Sequence, residues 1–133
     1  MIGEKGYLFK LDLHGKLVYK KEYGPEFKVS YYGTRGTPTV MGDRIYLLSA
    51  MGGLFCFDNE TGEILWSKDL TRDFGGQVIE WGMNETPVVD GKILYITPGG
   101  KKNALVALNR HTGDLVWSSP GTGELAAYCT PLL

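Results

Sequence analysis

With 133 residues, a formal charge of −1 and 43% hydrophobic residues, the chain has the length and composition of one compact domain with a real core. Near-neutral charge gives no basis for nucleic acid or an anionic membrane as partner. No run of roughly 18 apolar residues supplies a membrane span, and the opening Met1-Ile-Gly-Glu-Lys-Gly6 holds no apolar segment of signal-peptide length.

Nineteen glycines and sixteen aromatics (8 Tyr, 5 Phe, 3 Trp) beside only 6 prolines mark a turn-rich β composition. In chain order, residues 7–13 and 16–22 alternate as strands around a tight His14-Gly15 turn. A long connection over 24–36 leads to strands at about 37–41, 44–49, 53–58 and 63–68. A second connection, 69–82, precedes strands at about 86–89, 92–97, 103–109 and 114–118. A third, 119–127, leads to a last strand at 128–132. No segment carries a 3.6-residue apolar period, so essentially no helix is expected. The nearly continuous apolar runs Ile93–Ile96 and Ala104–Leu108 predict strands covered on both faces. Cys56 and Cys129 lie apart in strand-like segments and read as two buried free thiols.

The chain repeats itself. Cys56-Phe-Asp-Asn-Glu-Thr-Gly-Glu-Ile-Leu-Trp66 returns 51 residues later as Ala107-Leu-Asn-Arg-His-Thr-Gly-Asp-Leu-Val-Trp117. Lys10–Tyr19 is a weaker echo, one residue shorter in its turn. Upstream, Thr37-Pro-Thr-Val-Met-Gly-Asp-Arg-Ile-Tyr46 matches Thr86-Pro-Val-Val-Asp-Gly-Lys-Ile-Leu-Tyr95, and Thr130-Pro-Leu-Leu133 begins a third copy. A unit of about 45–50 residues with four strands is one propeller blade. Gly62 and Gly113 suit turns that need positive φ. Asp58 and Asn109 can accept from backbone N–H groups two or three residues on. Trp66 and Trp117 end the outer strands, where each ring can lie flat on a neighbouring blade.

These residues resemble the tryptophan-docking motif of the pyrroloquinoline quinone-like (PQQ-like) β-propeller repeat family, in its cell-envelope branch. Supporting segments are Gly36–Val40, Leu54–Asp58, Trp81-Gly82, Thr86–Val89 and Pro98–Lys101. The resemblance covers nearly the whole chain. It implies an all-β fold of four-stranded antiparallel blades, an incomplete ring in one chain. The division would be a partial blade at 1–22, full blades at about 34–70 and 83–119, and a partial blade at 127–133. It implies a periplasmic or extracellular location, and partners that are further blades, either from a longer chain or from other copies. Cys56 replaces the motif's usual Ala, and Tyr19 its Trp. The family's quinoprotein dehydrogenases carry an adjacent Cys-Cys pair, a calcium held by Glu, Asn and Asp, and a catalytic Asp. The chain has no Cys-Cys and no matching carboxylate cluster, so no cofactor, metal or catalytic residue is carried over; PQQ and calcium enter only if the chain is a piece of such a dehydrogenase.

Repeat alignment makes Arg35, Asn84 and Tyr128 equivalent, then Gly36, Glu85 and Cys129, and likewise Tyr32 and Trp81. Arg35, Trp81, Asn84, Glu85 and Tyr128 are therefore expected near one rim of the channel. There they would either bind a small polar ligand or a protein, or satisfy one another and the loops. Pro98–Asn103 is a hairpin loop rather than a phosphate loop, because the GxxxxGK[ST] spacing is missing. His14 and His111 are turn residues without metal-ligand partners. The expected function is a non-catalytic scaffold or binding segment, with a fragment of a PQQ-dependent dehydrogenase as the alternative.

Overall fold

The computed structural model describes residues 5–29 and 31–132, so the outermost residues of the two predicted partial blades, 1–4 and 133, lie outside the described residues. Among the described residues, ten strands form three antiparallel sheets, with one short helix beside them. The first sheet has two strands, β1 (Lys5–Leu11) and β2 (Leu17–Pro25). The middle sheet is a meander of β3 (Thr39–Met41), β4 (Arg44–Leu48), β5 (Gly53–Asp58) and β6 (Ile64–Asp69). The third repeats that order with β7 (Val88–Asp90), β8 (Ile93–Ile96), β9 (Leu105–Asn109) and β10 (Leu115–Ser119). The registers repeat as well. Tyr46 pairs with Cys56 and Cys56 with Trp66, while Tyr95 pairs with Ala107 and Ala107 with Trp117.

Strand periodicity sends alternate residues to opposite faces, and the middle sheet uses both. Tyr46, Leu48, Leu54 and Cys56 join Leu94, Ile96, Val106 and Leu108 of the third sheet in one core cluster. Ile45, Leu47 and Phe57 join Leu8 and Tyr23 of the first sheet in another. This double coverage explains why Ile45–Leu48 is buried without interruption. The runs that pointed to it, Ile93–Ile96 and Ala104–Leu108, belong to the third sheet. There Leu94, Ile96, Val106 and Leu108 are buried, but Ile93, Tyr95 and Leu105 remain partly exposed.

Three expectations are corrected. A helix, α1 (Leu70–Phe74), occupies the start of the second connection. Asp69 caps it by accepting from Thr71 N and Arg72 N, and the Asp69 N–H donates to Asp73 Oδ2 at 2.8 Å. Leu70 and Phe74, four apart on one side, enter the core between the middle and third sheets. At five residues the helix is too short to display an apolar period. Among the described residues, 128–132 form no strand; the segment's neighbourhood holds only an isolated bridge, Gly99 with Leu125. An extended segment without a ladder partner is not a strand. Finally, Cys56 is buried as expected, but Cys129 is exposed.

Leu54 and Leu94 are fully buried from opposite sides of the same cluster. Leu54→Ala is expected to lower stability by about 2–5 kcal/mol, read as a shift of the urea midpoint at unchanged slope.

Candidate functional site

Two arrangements link the sheets, one through their outer strands and one through their inner ones. In the outer arrangement, Asp58 Oδ1 accepts from Glu60 N, Thr61 N and Thr61 Oγ1 at 2.7–3.0 Å. Those bonds, Thr61's first, hold the Asp58 carboxyl below its ordinary value. Asn109 Oδ1 accepts from His111 N at 2.9 Å. Each turn closes with a glycine N–H, Gly62 to Asp58 O and Gly113 to Asn109 O. Both glycines have positive φ, +71° and +75°. Their second feature is closeness: a methyl group on Gly113 would stand 2.9 Å from the Trp66 ring, and one on Gly62 would stand 2.7 Å from Tyr19. Trp66 thus lies on the turn of the third sheet, and Tyr19 on the turn of the middle sheet.

Hydrogen bonds fix the same contacts. Trp66 Nε1 donates to Arg110 O at 3.1 Å and Tyr46 OH donates to that carbonyl at 3.2 Å, with the two rings 6.1 Å apart. One sheet back, Tyr19 OH and Lys10 Nζ donate to Asn59 O, the matching turn carbonyl, at 3.3 and 2.7 Å. Lys10 occupies the register position of Cys56 and Ala107. Trp117 has its Tyr partner, Tyr95, at 6.1 Å, and is exposed on the far face of the third sheet.

Of the five predicted rim residues, three come together. Arg35 Nε donates to Trp81 O at 3.0 Å and Arg35 Nη2 to Tyr31 O at 2.7 Å, while the guanidinium stands 5.3 Å from the Phe27 ring. Trp81 N donates to Tyr128 OH at 3.4 Å. Asn84 is half-buried. Glu85 turns inward instead: it is 3% exposed, and its carboxylate accepts from Thr97 N at 3.1–3.2 Å and from Thr97 Oγ1. Burial outweighs the Thr97 bonds and pushes the Glu85 carboxyl up to about 7.

The inner arrangement was not anticipated. Thr37 N donates to Thr86 Oγ1 at 3.4 Å, and Thr86 N to Thr130 Oγ1 at 3.0 Å. The Thr-Pro start of each repeat is therefore a rung linking one sheet to the next. The thrice-repeated Thr-Pro was the available signal. Gly36 is the closest approach along this line, since a methyl group there would stand 2.5 Å from Glu85 O. Glu26, another buried acid, accepts from Tyr23 OH at 2.7 Å, Phe27 N at 3.1 Å and Ala50 N at 3.3 Å. It lies in a stretch of the 24–36 connection whose residues do not recur in 69–82, so repeat alignment gave no sign of it.

Residues 4–133 match the protein family described as outer membrane protein assembly factor BamB. The chain belongs to this family. A BamB of Shewanella oneidensis is 28% identical over 99 residues, covering 73% of the chain, and one of Pseudomonas aeruginosa is 46% identical over 41 residues, covering 31%. The dehydrogenase subunit of a quinone alcohol dehydrogenase from Gluconobacter oxydans is 31% identical over 91 residues, 65% of the chain. The chain spans 25%, 11% and 11% of these relatives' own lengths. Among solved structures, BamB of Moraxella catarrhalis superposes with a TM-score of 0.59 at 20% identity, covering 86% of the chain and 30% of that protein. Quinohemoprotein alcohol dehydrogenase ADHIIG of Pseudomonas putida HK5 gives 0.59 at 19% identity, covering 84% and 17%. The three sheets are thus a segment of a PQQ-like β-propeller, without a closed ring.

The donor set for quinone and calcium does not fit. Among the described residues no three His, Cys, Asp or Glu side chains stand close enough to hold a metal ion, and Cys56 and Cys129 are neither adjacent in sequence nor alike in exposure.

Glu85 makes a pH prediction. Its folded-state value lies above the ordinary 4.5, so the folded chain holds a proton that the unfolded chain has lost. Stability is therefore greatest below about pH 4.5 as far as this group is concerned, and falls by roughly 3 kcal/mol as pH rises through 7. Glu85→Gln, which keeps an acceptor for Thr97, is expected to flatten that slope in denaturant melts between pH 5 and about 8.

Proposed function

We propose that this chain is a non-catalytic scaffold and binding segment of a BamB-like envelope protein, working on its periplasmic or extracellular side. The observation that carries the reading is that Arg35, Trp81 and Tyr128 are engaged with one another and with loop carbonyls, and that Glu85 is folded onto Thr97. These groups are committed to holding loops rather than poised over a reacting atom. Its partners are further blades first, and a protein or small polar ligand at the rim second. The relatives' description as an assembly factor supports the envelope location. The division proposed is full blades at about 34–70 and 83–119 and a partial blade at 1–22; the segment 127–133, which forms no strand among its described residues, would be the start of a further blade.

In this reading Asp58, Gly62, Trp66, Asn109, Gly113 and Trp117 dock blades. A Trp66→Ala and Gly113→Ala double-mutant cycle measures it. Each substitution is expected to cost about 2–4 kcal/mol in urea melts, with a coupling energy of at least about 1 kcal/mol. Additive costs would mean that ring and turn act independently.

The likeness to the Gluconobacter oxydans dehydrogenase subunit favours a second reading, a piece of a quinone-dependent dehydrogenase. Titration with PQQ and Ca²⁺, followed by Trp fluorescence, separates the two. The scaffold reading expects no calcium-dependent quenching at micromolar quinone; tight, calcium-dependent quenching would replace it with the dehydrogenase reading.

A further inference from the structure

Two buried acids, Glu26 and Glu85, hold the connections in place, and they are held differently. Glu26 accepts from Tyr23 OH, Phe27 N and Ala50 N, three donors on three residues. Glu85 is equally buried, but its donors, one N–H and one hydroxyl, both belong to Thr97. An ionised carboxylate with so few donors is costly to keep out of water. The charged and titratable groups around it give little help. Arg35 stands next to Gly36 on the 24–36 connection, with its guanidinium engaged by Trp81 O and Tyr31 O. Lys101 and Lys102, on the hairpin after Thr97, are exposed. On the third connection, Glu124 and Cys129 line, with Thr97, a cavity of about 210 Å³, and the Glu124 carboxylate is bound to Thr122. Burial first and the Thr97 bonds second govern the Glu85 carboxyl, with none of these charges among the causes.

The place of Glu85 in the backbone gives its side chain leverage. Glu85 O lies against Gly36. The next residue, Thr86, carries both inner links: its N–H donates to Thr130 Oγ1, and its Oγ1 accepts from Thr37 N. The chain is anchored on either side. Met83 N donates to Ala50 O at 2.9 Å, and Pro87 O accepts from Thr39 Oγ1. Met83 and Pro87 are both buried. Residues 84–86 are therefore a short span between two fixed points, able to move while the sheets stay packed. The rim is one residue away, at half-buried Asn84.

We infer that Glu85 is a proton-operated latch on the inner edge of the sheets. Neutral, the carboxyl donates its O–H to Thr97 Oγ1, accepts from Thr97 N and keeps residues 84–86 in line with both threonine links. When the proton leaves to water, the carboxylate exchanges Thr97 for solvent and turns to the rim beside Arg35, and the Thr86 links to Thr37 and Thr130 loosen. The ring-on-glycine contacts at the outer edge stay closed. Burial places the change near neutral pH, with the latch shut on the acid side and open on the alkaline side. The latch stands independently of the scaffold reading, but in its open state the rim gains a carboxylate next to its guanidinium.

Backbone amide hydrogen exchange, followed by NMR on the 133-residue chain and corrected for intrinsic rates, tests it between about pH 5.5 and about 8.5. Protection of the Thr97 and Thr86 amides is expected to fall at least about tenfold as the pH rises through that window. The loss should be insensitive to low urea, because opening three residues exposes little surface. Val106, in the interior of the third sheet, should respond to urea as global unfolding does. Glu85→Gln copies the neutral acid, accepting from Thr97 N and donating to Thr97 Oγ1, and should keep both amides protected at every pH. Three outcomes would overturn the latch: protection that survives to the alkaline limit, loss that only keeps step with Val106, or equal loss in Glu85→Gln. Loss in step with Val106 would leave the dependence of overall stability on Glu85 standing and remove only the local opening.

Discussion

One contact organises the molecule: an aromatic ring at the end of one sheet lies on a glycine of the next sheet's turn, and donates a hydrogen bond to a carbonyl of that turn. The contact demands a residue without Cβ where the ring sits, and the same residue supplies the positive φ that closes the turn. An acceptor side chain stands at the turn's start, where Asp58 and Asn109 accept from turn N–H groups. The middle sheet thereby takes part twice: its Gly62 turn lies under Tyr19 of the first sheet, and its Trp66 lies on the Gly113 turn of the third.

The sheets are tied at two radii. Outside, ring burial dominates; covering an indole is worth about 2–3 kcal/mol, more than the roughly 1 kcal/mol of its hydrogen bond. Inside, the Thr37–Thr86–Thr130 rungs are hydrogen bonds, and Thr39 Oγ1 donates to Pro87 O between the middle and third sheets. The same crowding at the inner edge accounts for Gly36 opposite the Glu85 carbonyl, where a side chain has no room. Beside it, the Glu85 side chain is withdrawn from solvent onto Thr97.

Much of this was legible in the sequence because it is repeated. The strand order, the turn glycines and the pairing of Tyr with Trp across Cys56 or Ala107 all recur, and recurrence converts residue identity into position. What was missed occurs once or is short. The helix Leu70–Phe74 has a sequence-visible cap in Asp69 and Asp73, but spans too few turns for a periodic apolar signal. Glu26 sits where the 24–36 connection has no like residue in 69–82. Glu85 was placed at the rim by alignment with Gly36 and Cys129, and alignment fixes a backbone position without fixing which way a side chain turns. The exposure of Cys129 has the same origin: strand-like composition does not make a strand where no neighbour provides a ladder.

The substitution of Cys56 for the small residue between Tyr46 and Trp66 has a practical side. Its thiol is wholly enclosed by the contact between the middle and third sheets, and burial raises its pKa, so both access and thiolate content are suppressed. Cys129 is open to solvent. The chain thus contains an internal clock and its own reference: alkylation at Cys129 reports the reagent, and alkylation at Cys56 counts the moments when the two sheets part.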